Sequence, residues 1–123
     1  MLYIYIYIIK MGITGLYIDD NILKNISTDT DINALNLNLN AYYIIDSLNF
    51  FYEYIDNNYT EETFVSITIN IYNLQEDRKT RINQLDTIYY QKKIDKKIDY
   101  GNLWNTLYTE FKQFLIEKYE NVF

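Results

Sequence analysis

Residues 64–72, FVSITINIY, alternate apolar with small polar side chains and form the clearest strand signal in the chain. A period of two keeps one face apolar only if the backbone is extended, so this stretch commits to a β-strand. The far end of the chain commits equally firmly to the other state. Over residues 102–120, Leu103, Leu107, Phe111, Leu115 and Tyr119 recur at every fourth position, and Trp104, Tyr108 and Phe114 widen the stripe. That spacing is the apolar face of an amphipathic helix.

The segments between are read around these two anchors. Gly12 and Gly15 open a loose loop, after which Leu16, Ile18, Ile22, Leu23 and Ile26 recur at near-helical spacing and predict a short helix. Residues 28–40 are polar and rich in Asn, with alternating Leu35, Leu37 and Leu39, and read as a loop with room for one edge strand. Residues 42–46, YYIID, are a compact apolar run ending in an acid. Such a run suits a buried parallel strand whose carboxyl end opens onto a site. From Ser47 the spacing turns helical, with Leu48, Phe51, Tyr52 and Ile55 on one face and Ser47 as N-cap. Residues 75–99 follow the strand at 64–72 as the helical half of a second strand-then-helix unit, with Ile82, Leu85, Ile88, Tyr89, Ile94 and Ile98 among charges and Gly101 as the stop signal. Strands alternating with helices predict an α/β architecture, a small parallel sheet flanked by helices. A length of 123 residues supports one domain with one modest core.

Residue types that are missing exclude much chemistry. The chain has no His and no Cys, which removes Ser-His-Asp and Cys-His nucleophile systems and the usual zinc and haem ligands. Any metal would be a hard, oxygen-bound cation such as Mg2+ or Mn2+. A chain without cysteine has no disulfide framework, which fits an intracellular setting, nucleus or cytoplasm. The 15 Tyr, with abundant Ile, Asn and Lys, match the codon alphabet of an A/T-rich genome, so they are not read as a base-stacking platform. The opening run MLYIYIYII is too short to cross a bilayer and lacks the basic start of a signal peptide. Residues 1–10 are accordingly an apolar N-terminal extension, and residues 11–123 a single domain.

The formal charge of -6 is unevenly spread. Residues 78–97 hold Arg78, Lys79, Arg81, Lys92, Lys93, Lys96 and Lys97 against Asp86 and Asp95, while the rest of the chain is strongly acidic. A basic segment on an acidic body admits two readings, a phosphate-contacting surface or a solvated helix face. The adjacent acids Asp19 with Asp20 and Glu61 with Glu62 point in different directions and serve solubility.

MGITGL at residues 11–16 and YYIIDSLNFFY at residues 42–52, with about thirty residues from one start to the other, resemble the amino-terminal, PIN-like nuclease domain of the XPG/flap endonuclease family. The wording is most similar to its asteroid-like branch. Residues 11–56 carry the resemblance, and residues 64–90 carry it weakly. It implies that Asp46 is a catalytic carboxylate holding Mg2+ or Mn2+, that Gly12 and Gly15 form the N-terminal motif, and that Met11 is where related chains begin. It also implies that EDRKTRI corresponds to the basic region clamping the substrate strand, with Arg78, Lys79 and Arg81 as contacts and Lys92 and Lys93 in the same segment. Two departures stand out. Asn73 occupies the position where the family's second strand carries an acid, and the downstream acid cluster and helical DNA-binding module have no counterpart. The resemblance therefore implies a truncated or degenerate structure-specific nuclease-like domain without full catalytic activity. Two alternatives are a non-enzymatic nucleic-acid or protein interaction module using a basic helix over residues 78–97, and an orphan A/T-rich reading frame with no defined activity.

Overall fold

The computed structural model describes residues 7–9, 12–26, 37–54, 61–94 and 102–120. Five strands form one sheet: β1 (Tyr7–Ile9), β2 (Gly12–Tyr17), β3 (Asn38–Tyr54), β4 (Glu61–Tyr72) and β5 (Gln84–Ile94). They lie in the order in which they occur along the chain, and each neighbouring pair is antiparallel. The expected parallel, PIN-like α/β sheet is therefore not what forms; the protein is an antiparallel meander with helices added. The physical reason lies in the connections. Six residues separate β3 from β4, too few for the crossover of a dozen or more that a parallel pair requires.

That correction follows from a second one. The helix expected from Ser47 onward is instead the continuation of β3, which pairs with β4 from Ser47↔Thr68 to Tyr54↔Glu61. Leu48 and Tyr52 share a face of the sheet, whereas Phe51 lies on the other and stacks on Phe64 at 5.5 Å. The spacing that imitated a helix was a strand with apolar residues on both sides. Ile55 lies outside the described residues. The helix expected over residues 75–99, after the strand at 64–72, is likewise replaced: a single helical turn, α2 (Asp77–Thr80), precedes the strand β5. The Gly12 to Gly15 loop is β2, and the expected edge strand near residue 38 opens the central β3. Tyr7–Ile9 of the expected N-terminal extension pair with β2 as β1.

The two anchors hold. The alternating stretch lies in β4, with Val65, Ile67, Ile69 and Ile71 buried on one face. The stripe forms α3 (Leu103–Glu120), which buries Leu103, Leu107, Phe111, Leu115 and Tyr119 against that face. Each such side chain contributes about 1.5–3 kcal/mol by leaving water. A short helix, α1 (Asp20–Asn25), is capped by Asp19 and tied to the end of α3 by the Lys118 to Asp20 ion pair at 3.3 Å.

Three tyrosines close the gaps that this sheet leaves. Tyr43 donates its hydroxyl to the carbonyl of Leu16 at 2.6 Å, beside the register shift between Gly15 and Tyr17. Just past the end of β2, the Ile18 N–H donates to the Tyr119 hydroxyl at 3.2 Å. The Ile45 N–H donates to Tyr108 at 3.0 Å, next to the register shift between Ile45 and Ser47. Backbone groups that lose a ladder partner in a dry core need another one, and the rim of a buried phenol supplies it.

Candidate functional site

The connection from β4 to β5 carries three of the basic residues singled out in the sequence, and its shape is set by its own hydrogen bonds. Asn73 N–H donates to the Asn83 carbonyl at 3.0 Å and closes the hairpin. Asp77 accepts from the Leu74 N–H at 3.1 Å, and its carbonyl receives the Ile82 N–H at 3.2 Å. Arg81 and Asn83 adopt φ of 54° to turn the chain back into β5. This left-handed conformation is unusual for arginine and ends α2 at a fixed point.

The turn folds over the face of the sheet opposite α3. There Tyr42, Ile44 and Tyr72 form a second, smaller apolar cluster. Gly12 belongs to it: a Cβ at this position would lie 2.5 Å from the ring and hydroxyl of Tyr42. Only glycine lets that ring lie across β2. Gly15 is buried opposite Ala41, immediately before the register shift. Both glycines of the N-terminal motif thus have packing roles in a strand.

Between turn and cluster lies a pocket of about 270 Å³, lined by Tyr42, Ile44, Gln75, Arg78, Lys79 and Tyr108. Arg78 and Lys79 form no ion pair among the described residues. Burial raises the Tyr42 hydroxyl above its ordinary value, and the positive charge of Arg78 works in the opposite direction. Burial likewise pushes Tyr108 up to about 12, while its Ile45 hydrogen bond and Arg78 pull it down. Both phenols therefore stay neutral at physiological pH. The arrangement offers two cations, an amide and two hydroxyls to an anionic group.

The remaining predicted contacts do not join them. Arg81 is exposed outside the pocket. Lys92 pairs with Glu110 of α3, and Lys93 pairs with Glu62 at 2.9 Å. The expected basic helix over residues 78–97 is a turn followed by a strand, so Lys92 and Lys93 point to opposite faces of the sheet. Lys96 and Lys97 lie outside the described residues. Asp46 is exposed at the register shift in β3. Among the described residues, no three Asp or Glu side chains come together closely enough to hold a metal ion. A single exposed carboxylate does not fit the two-metal centre that the resemblance implies.

Sequence reasoning found Arg78 and Lys79 but missed Tyr42, Gln75 and Tyr108. Tyr42 and Tyr108 were counted as core, which they are, and no local signal joins residues this far apart in the chain. No protein-family model matches the chain, and no curated protein or solved structure matches it either.

Proposed function

We propose that this protein is a non-enzymatic interaction module that grips a phosphate of a single-stranded nucleic acid at the β4–β5 turn, with Arg78 and Lys79 as the charged contacts. The observation that carries this reading is the pocket itself: two cations without ion-pair partners among the described residues, set beside Gln75, Tyr42 and Tyr108. A volume of about 270 Å³ suits a phosphate or one nucleotide rather than an extended cofactor. The net charge of -6 repels a polyanion elsewhere on the surface, so contact is confined to this corner.

Fluorescence anisotropy with a labelled single-stranded oligonucleotide tests the reading. Binding weakens with salt, with a log-log slope of roughly -0.7 per phosphate neutralised. Replacing Arg78 and Lys79 together by Ala abolishes most of the affinity, whereas Lys92→Ala with Lys93→Ala, which removes residues already in ion pairs, leaves it nearly unchanged. Salt-independent binding, or equal losses from both double variants, would sink the proposal. Mg2+- or Mn2+-dependent cleavage of the oligonucleotide that disappears in Asp46→Ala would replace it with the nuclease reading.

A further inference from the structure

The last strand of the sheet is β5, and among the described residues it pairs with β4 alone. An eleven-residue edge presents a row of backbone donors and acceptors to any further strand. Beside it, on the α3 side, lies an apolar groove of about 270 Å³ formed by Ile88, Tyr90, Glu110, Phe111 and Phe114. Tyr90 stacks on Phe111 at 6.2 Å, and Phe114 remains 49% exposed. On the other face Tyr89 is 74% exposed at the middle of the strand. Apolar side chains in this density along an open edge call for a covering partner.

The order of residues in β5, QLDTIYYQKKI, identifies that partner by its charge. Asp86 and Lys92 stand at equal distances on either side of Tyr89, and both lie on the α3 face: Lys92 reaches Glu110, and Asp86 accepts the Tyr17 hydroxyl. We propose that a second copy of this chain covers the edge, the two β5 strands pairing antiparallel about a two-fold axis through Tyr89. In this register Asp86 faces Lys92 of the second copy, Ile88 faces its Tyr90, and the two Tyr89 rings meet. The two grooves then lie side by side on one surface, and each Phe114 closes against the other copy. A slip of two residues would set Lys92 opposite Gln84 or Ile88 and Asp86 opposite Tyr90 or Ile94, losing every opposite-charge pair. A slip of one would send the two α3 helices to opposite faces and divide the groove. The interface is isologous, as closed two-fold dimers require, and extends the sheet across both copies. It is independent of the proposed phosphate contact, which lies at the β4–β5 turn.

The chain has no cysteine, so an introduced thiol reports on this geometry without background. Tyr89→Cys is expected to give a disulfide-linked dimer on mild oxidation. Thr87→Cys alone is not, because the two copies of residue 87 stand four residues apart along the pair, about 13 Å, beyond disulfide reach. Thr87→Cys mixed with Gln91→Cys restores cross-linking. In sedimentation equilibrium, Asp86→Lys and Lys92→Asp each weaken the dimer about tenfold, and the double variant, in which the charges are exchanged, recovers it. Circular dichroism of each variant checks that the monomer remains folded. A parent that stays monomeric at every concentration would overturn the proposal. So would a dimer indifferent to the single reversals, or cross-linking of Thr87→Cys alone as efficient as that of Tyr89→Cys.

Discussion

The two halves of β3 are one continuous strand with opposite fates. Residues 41–45 are buried without interruption, with Tyr43 only 1% exposed, whereas residues 46–53 rise to 66% exposure at Tyr52. Covering explains the difference. Below the register shift, α3 lies on one face and the Arg78 turn on the other, so neither set of alternate side chains reaches water. Above it, pairing with β4 continues, but exposed Phe50 and Tyr52 mark a face that α3 leaves open. Hydrogen bonding alone makes a strand, and what packs over it decides whether its sequence is uniformly apolar or mixed.

The largest effect that tests this contrast comes from truncating one aromatic in each half. Tyr43→Ala removes the Leu16 hydrogen bond and the ring contact with Phe111 at 5.9 Å, and is expected to cost about 3–5 kcal/mol in a denaturant titration. Tyr52→Ala should stay within about 0.5 kcal/mol. Equal losses would break the comparison.

A smaller effect isolates the second covering layer. Gly12→Ala forces the Tyr42 ring to move and should cost about 2 kcal/mol. In a Tyr42→Ala background the same change should cost much less, since the ring it meets is gone, and a double-mutant cycle reads the coupling directly. Additive losses would mean that the ring does not lie across β2.

A third effect is confined to alkaline pH. Burial holds the Tyr90 and Tyr108 hydroxyls near 12 in the folded protein, above the value of 10.0 for a free phenol. The folded state binds these protons more tightly, so their contribution is complete below about pH 10 and disappears as pH rises from 10 through 12. A urea midpoint followed over that window should fall steeply, and Tyr108→Phe should flatten part of the fall. A variant as alkali-sensitive as the parent would show that Tyr108 titrates as an exposed phenol.

Local pattern was legible in the two elements that bury one face completely. The alternation of FVSITINIY and the fourfold stripe of α3 each describe an element with one dry side, and each formed as expected. β3 was not legible for the opposite reason. Its first half is dry on both sides, which is the pattern of a parallel strand, and its second half carries Leu48, Phe51 and Tyr52 at a spacing that also fits a helix. The basic segment shows the same limit at the site. Its charges could be counted, but their neighbours Glu110 and Glu62, which engage Lys92 and Lys93, lie elsewhere in the chain.

By itself, the sequence determined the chemical alphabet, with no thiol or imidazole, and the two elements whose periodicity admits one backbone state. It also determined that Arg78 and Lys79 belong to a basic cluster. Strand direction, the length of β3, the Tyr42 and Tyr108 walls of the pocket and the β5 edge, unpaired among the described residues, were decided only by tertiary structure. The reason is physical: period two and period 3.6 report which side of an element is dry, whereas pairing partners and covering layers depend on contacts between segments far apart in the chain.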